Sequence, residues 1–175
     1  MIKIQDYLKM ADVRRCSGVK LLRPYDLIRH SFMTTILFQY FAGIENIIYD
    51  KKVIDIIMKH DILEVKTGDL ISPVKSFNQR TKNAWHTIEK HIILENPDFE
   101  DFSDHKIKEN MNEEQFRLFK TCDLLELWIF IVEEILLGNR TEGVMKIYNL
   151  VGIETKTKGL KSVIEFMAEM EAKVE

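Results

Sequence analysis

Glycine and proline are scarce in this chain, seven and three among 175 residues, which leaves few of the turn-formers that a fold of many short strands requires. Cysteine is scarcer still. Cys16 and Cys122 are too few for a disulfide framework and too far apart for a zinc-knuckle spacing, so a reducing interior is the expectation. No charge of one sign dominates: 25 Lys and Arg against 28 Asp and Glu give a formal net charge of -3. Without a sequence-wide basic field, a dedicated nucleic-acid binder is disfavoured. Long apolar runs are missing too. The most apolar stretch, Leu124 to Leu137, carries Glu126, Glu133 and Glu134 and is shorter than the roughly 20 residues a bilayer crossing needs; it reads as a buried helix, and no membrane partner is expected. The N-terminal Met1-Ile2-Lys3-Ile4-Gln5-Asp6 lacks the basic-then-apolar order of a signal peptide. The expected location is the cytoplasm, a host's cytoplasm if the chain is phage-encoded.

What is present is helical pattern. With 46% hydrophobic and 30% charged residues, a chain of this length suits one domain with a real core, and neither a repeat nor a linker divides it. Met33, Ile36, Leu37, Tyr40, Phe41 and Ile44 recur at helical steps and predict a core-facing stripe on a helix from about Asp26 to Asn46, with His30 in its first turns. Val53, Ile54, Ile57 and Met58 follow a polar start at Asp50-Lys51-Lys52 and run into His60-Asp61, ahead of the breakers Gly68 and Pro73. Trp85, Ile88, Ile92 and Ile93 mark a third helix from about Val74 to Glu95, after which Pro97 opens a connecting loop. Asn112 is the expected N-cap of a helix that continues to a stop at Gly138, with Asp123 inside it. Shorter patterns near Thr141–Val151 and Gly159–Ala172 complete an all-α chain.

Three of these helices carry groups able to hold a metal: His30, the pair His60-Asp61, and Asp123. Imidazoles and carboxylates without thiolates suit Mn²⁺, Co²⁺, Fe²⁺ or Zn²⁺ in a site with open positions, the outline of a hydrolytic centre. Spacing alone leaves other readings open. His30 could be a histidine bonded to a carbonyl, Asp123 a helical aspartate paired with arginine, and Glu64 and Asp69 a solvated helix end and an ordinary turn residue. The basic residues Arg14, Arg15, Lys20 and Arg23 could be a solvated face. His86, His91 and His105 read as surface or packing residues.

The stretch from His60 to Lys75 is dense in chemistry. Continued helix would bring Glu64 to the face of His60 and Asp61, where its carboxylate could take a proton from a water that the metal activates. Asp69, after Gly68, would offer a second carboxylate to a substrate hydroxyl or leaving group. Lys75, with Arg15, Lys20, Arg23 and Arg29, could supply cations for phosphate oxygens.

This segment matches every fixed position of H-D-x-x-E-x-x-T-G-D-x-x-x-P-V-K and resembles the HD-domain superfamily, in particular its small 5′-deoxynucleotidases. His30-Ser31, Lys120-x-x-Asp123-x-Leu125 and Glu133-Glu134-x-x-x-Gly138-Asn139 extend the likeness over about residues 15–139, most of the chain. The resemblance implies a single HD domain spanning 1–175, with helices 140–175 added to the motif-bearing core. It implies about six to seven helices around one divalent ion (Mn, Co, Zn, Fe or Mg) held by His30, His60, Asp61 and Asp123, and hydrolysis of phosphate esters. By the same carry-over Glu64 and Asp69 are catalytic carboxylates, Arg15 contacts a nucleotide substrate, and the protein forms homo-oligomers, dimers or hexamers.

Two positions depart from that pattern: Cys16 stands where the 5′-deoxynucleotidases carry tryptophan, and Arg29 where they carry a glutamate before His-Ser. Losing the tryptophan removes a rigid wall for sugar or base. Arg29 would add a contact for a longer phosphate chain, and the small residues Cys16 and Gly18 would leave the base pocket wide. The compact dATP triphosphohydrolases of certain phages, of about this length, supply the second expectation, release of triphosphate, behind monophosphate hydrolysis.

Overall fold

The computed structural model describes residues 2–69 and 78–174. Among these, the structure is helical with no strand: α1 is Ile4–Lys9, α2 Leu27–Glu45, α3 Lys51–Lys59, α4 Glu64–Thr67, α5 Gln79–Glu95, α6 Asp104–Glu109, α7 Glu113–Leu136, α8 Glu142–Lys158 and α9 Lys161–Glu171, with a 3-10 segment at Pro97–Phe102. The six longer helices are those the periodicity predicts; α1, α4 and α6 are short additions. Side-chain caps set the starts. Asp26 accepts from the Arg29 N–H and Asp50 from the Val53 N–H, while Asn112 and Gln115 form a reciprocal capping box at α7. Asn46 ends α2 in the left-handed region, and Gly138, at φ +93°, turns the chain out of α7.

The central α7 packs along α2 and α8, and α3 and α9 pack on α2. Phe38, Phe41, Val53, Ile57, Leu118, Phe119, Leu125, Trp128, Val163 and Met167 form the main cluster, and Tyr25, Phe130, Ile131, Ile135 and Val144 a second one at the far end of α7. Each fully buried large side chain contributes roughly 1.5–3 kcal/mol. Helix α8 runs seven residues beyond the expected Val151, because Gly152 lets it approach α7: a Cβ there would lie 2.9 Å from Trp128 Nε1.

One expected face is corrected in part. Of the expected stripe on α2, Phe41 is buried and Leu37 partly buried in the main cluster, whereas Met33, Ile36, Tyr40 and Ile44 are exposed, together with Ile28 and Phe32. The buried face is Leu27, His30, Ser31, Thr34, Thr35, Phe38, Phe41 and Ala42. Polar groups occupy it because this face borders the His-Asp cluster, and Thr35 satisfies its hydroxyl on the Ser31 carbonyl. Helix α5 follows an extended Asn78 cap and fully buries none of its residues, although Ile93 packs partly buried on the cluster of Met10, Leu27, Ile62, Phe99 and Phe102; the expected start at Val74 lies outside the described residues. The segment read as a loop after Pro97 is ordered into the 3-10 turn and α6, with Phe99 and Phe102 buried.

Candidate metal centre and catalytic site

Three elements bring the site together. His30 lies in the first turn of α2, His60 is the C-cap of α3, and Asp123 stands inside α7. Helix α3 stops at His60 rather than continuing. Residues 61–63 form a tight turn closed by Glu64 N–H donating to the Asp61 carbonyl at 2.9 Å, and Glu64 opens α4.

The two histidines are held by their outer nitrogens. His60 Nδ1 lies 2.7 Å from the Ile57 carbonyl, which can only accept, so Nδ1 carries the proton. That leaves Nε2 as a lone pair, buried and without a hydrogen-bond partner. His30 Nδ1 lies 2.6 Å from Glu126 Oε2, and its Nε2 faces Asp123 Oδ1 at 3.1 Å and Asp61 Oδ2 at 3.6 Å. His60 Nε2 is 3.3 Å from Asp61 Oδ1 and 3.8 Å from Asp123 Oδ1. Donor atoms of His30, His60 and Asp61 all fall within 4.8 Å of one another, and Asp123 Oδ1 adjoins both imidazoles. Two imidazole nitrogens and two carboxylates converging in a buried space fit a divalent ion, which would take the place of the proton on His30 Nε2.

The charges agree with that geometry. Burial works against ionisation of Asp61, yet His60, Arg15 and His30 hold its pKa down at about 2. Burial likewise opposes the Asp123 carboxylate, which Lys120 and the two histidines keep well below the usual range. Burial and Arg15 disfavour the His30 imidazolium, but hydrogen bonds to Asp123 and Glu126 raise it to about 9. The cluster thus favours positive charge at its centre, the preference a cation satisfies.

Arg15 joins the site. Its Nη1 lies 2.5 Å from Asp61 Oδ2 and 4.0 Å from Glu64 Oε2, and Glu64 itself is buried. Asp69 Oδ2 accepts the Cys16 N–H at 3.1 Å, tying the loop that carries Arg15 to the turn after Gly68. Cys16 is half-buried beside them, its thiol pushed up to about 11 by burial, and Gly18 is exposed in the same loop. Arg29 is engaged elsewhere: its guanidinium pairs with Glu133 at 3.2 Å and lies over the Phe130 ring. Lys75 lies outside the described residues.

The family described as 5′-deoxynucleotidase YfbR-like matches residues 4–174. The chain belongs to that family. It is therefore an HD-type, metal-dependent phosphohydrolase. The YfbR 5′-deoxynucleotidases of Salmonella paratyphi B and Salmonella newport are each 28% identical to it over 149 residues, covering 79% of this chain and 75% of theirs. Among solved structures, an HD-domain phosphohydrolase from Listeria innocua superposes with a TM-score of 0.78 at 19% identity, covering 98% of this chain and 90% of the other. The cyanophage S-2L HD phosphohydrolase DatZ, bound to dA and one catalytic Zn²⁺ ion, superposes at 0.71 with 17% identity, covering 99% and 97%. Both share the fold.

Within this YfbR-like chain, the E-E-x-x-x-G-N motif is a structural clamp. Glu134 is fully buried and accepts from Leu22 N–H at 2.7 Å, Arg23 N–H at 3.2 Å, Arg23 Nε at 3.1 Å and Asn139 Nδ2 at 2.8 Å. Asn139 Nδ2 also donates to the Lys20 carbonyl. The clamp fixes the loop bearing Arg15 onto the end of α7. Sequence reasoning passed over Tyr25 and Glu126, which lie behind His30. The available signal was a glutamate three residues after Asp123 in an otherwise apolar stretch.

Proposed function

We propose that the chain acts as a single HD domain that hydrolyses deoxynucleoside 5′-monophosphates to deoxynucleosides and orthophosphate, using one divalent ion held by His30, His60, Asp61 and Asp123. The observation that carries this reading is the convergence of both Nε2 atoms on the Asp61 and Asp123 carboxylates, with the Nδ1 positions of both rings already engaged. Membership of the YfbR-like family supports the substrate class. When bound, the ion lowers the pKa of a water and offsets phosphoryl charge. The donor set accepts Mn²⁺, Co²⁺, Zn²⁺, Fe²⁺ or Mg²⁺, and availability decides among them.

We assign Glu64 the proton of the attacking water as its oxygen bonds to phosphorus and the bond to the 5′ oxygen breaks. Asp69 assists the departing alkoxide or holds the sugar. Arg15, beside Asp61 and Glu64, supplies the cation for the phosphoryl oxygens, and Cys16 and Gly18 border the base and sugar. Triphosphate release loses the argument from Arg29, since that guanidinium pairs with Glu133. Self-association is proposed through the outward row Ile28, Phe32, Ile36 and Tyr40 on α2: this row carries no charge and, as one straight helix face, can pair with its own copy about a two-fold axis. Light scattering of Phe32→Glu against the unaltered protein tests it, a monomer being expected for the variant only.

The test of the activity is to load metal-stripped protein with Mn²⁺ or Co²⁺, offer ribo- and deoxynucleoside mono- and triphosphates, and separate the products. Orthophosphate from deoxynucleoside monophosphates is expected. Intact triphosphate from a deoxynucleoside triphosphate, or metal uptake without turnover, would overturn the proposal.

A further inference from the structure

Glu126 is buried to 4% exposure on α7, one turn beyond Asp123. A lone carboxylate at such depth is costly unless its oxygens are bonded. Two donors reach it: the Tyr25 hydroxyl, in a short hydrogen bond, and His30 Nδ1 at 2.6 Å, both on Oε2. Tyr25 is itself immobilised, 2% exposed and stacked on Phe130 at 4.0 Å between ring centroids. The result is a buried chain from Tyr25 through Glu126 to His30, ending at the Nε2 that faces Asp61 and Asp123.

We infer that Glu126 is a positioning residue that selects the working tautomer of His30. A carboxylate accepts but does not donate, so once an ion displaces the proton from Nε2, the one proton of the neutral His30 ring resides on Nδ1, against Glu126, and the Nε2 lone pair points into the centre. With the opposite tautomer, Nε2 would present a hydrogen to the ion and His30 could not ligate. His60 is set the same way by a neutral acceptor, the Ile57 carbonyl. The two rings therefore differ in strength: the charged acceptor makes His30 the more basic ligand, and Tyr25 holds that acceptor in register.

The inference rests on the proposed metal reading and is tested apart from turnover. Glu126→Gln keeps shape and one acceptor oxygen but removes the charge. Zn²⁺ affinity of the metal-stripped variant, measured by competition with a chromophoric chelator, should fall roughly 10–100-fold, while melting of the metal-stripped form stays close to that of the unaltered protein. Unchanged affinity would overturn the role of Glu126, whereas failure of the unaltered protein to take up Zn²⁺ would overturn the metal reading beneath it. Should the variant not fold, two-bond ¹H–¹⁵N correlation spectra of the unaltered Zn²⁺ form decide the matter. His30 bound through Nε2 with a strongly downfield Nδ1 proton is expected; binding through Nδ1 contradicts the inference.

Discussion

Glu134→Ala is expected to destabilise the fold by about 3–5 kcal/mol, the usual loss when one partner of a buried charged network is removed. Its carboxylate, 0% exposed, serves donors of Leu22, Arg23 and Asn139 at 2.7 to 3.2 Å. Hydrogen bonds to a charged group are worth about 1.5–3 kcal/mol each, but four on one carboxylate are not additive, and the surface loop 20–23 can relax towards water. The same change at the adjacent Glu133, 39% exposed and paired with Arg23 and Arg29, should cost only about 0–1 kcal/mol. Urea unfolding reads the difference: with a slope near 2 kcal/mol/M, the two midpoints should separate by roughly 2 M. Coincident midpoints would refute the argument. The pH dependence has a definite sign. Burial opposes ionisation of Glu134, but the Leu22 N–H, Asn139 and Arg23 lower its pKa below 4.5. Its contribution is therefore fully present above that value and lost as the pH falls through the depressed one. The gap between the unaltered protein and Glu134→Gln should accordingly narrow on acidification from pH 6 towards pH 3.

Other outcomes follow from the same geometry. Glu64→Gln should retain metal while kcat falls about 10²- to 10⁴-fold, the range for a lost general base; retained turnover would remove Glu64 from the reaction. Asp123→Asn should weaken metal binding by calorimetry, because the carboxylate lies 3.1 Å from His30 Nε2 and 3.8 Å from His60 Nε2. Gly152→Ala should cost about 1–3 kcal/mol through overpacking, seen as a lowered melting temperature, since the added methyl meets Trp128 at 2.9 Å. Metal at about 100 times its Kd should stabilise the fold by about 2.7 kcal/mol, and chelation should reverse that shift in a thermal melt.

Local signals were the most legible part of this chain. Caps at Asp26, Asp50 and Asn112 and the stop at Gly138 are short-range hydrogen-bond and φ requirements, and each stands where side-chain chemistry predicts. Which face of α2 turns inward was not legible, because periodicity counts apolar residues, and here the inner face carries His30, Ser31, Thr34 and Thr35 while the outer one carries Ile36 and Tyr40. At the site, the four groups read from three helices, His30, His60, Asp61 and Asp123, stand together. Arg29, next to His30 in the chain, points to Glu133 because adjacent helical residues diverge by about 100°. Tyr25 and Glu126 escaped notice because their function depends on a long-range contact, 101 residues apart.

The central claim, attack of water on phosphorus in the site of His30, His60, Asp61 and Asp123, is tested most directly by ³¹P NMR of deoxynucleoside 5′-monophosphate turnover in ¹⁸O-enriched water with Mn²⁺ removed before recording. Orthophosphate bearing one ¹⁸O atom, and none formed by Asp123→Asn, is the expected result. Unlabelled orthophosphate, or no release by metal-loaded protein, would contradict it.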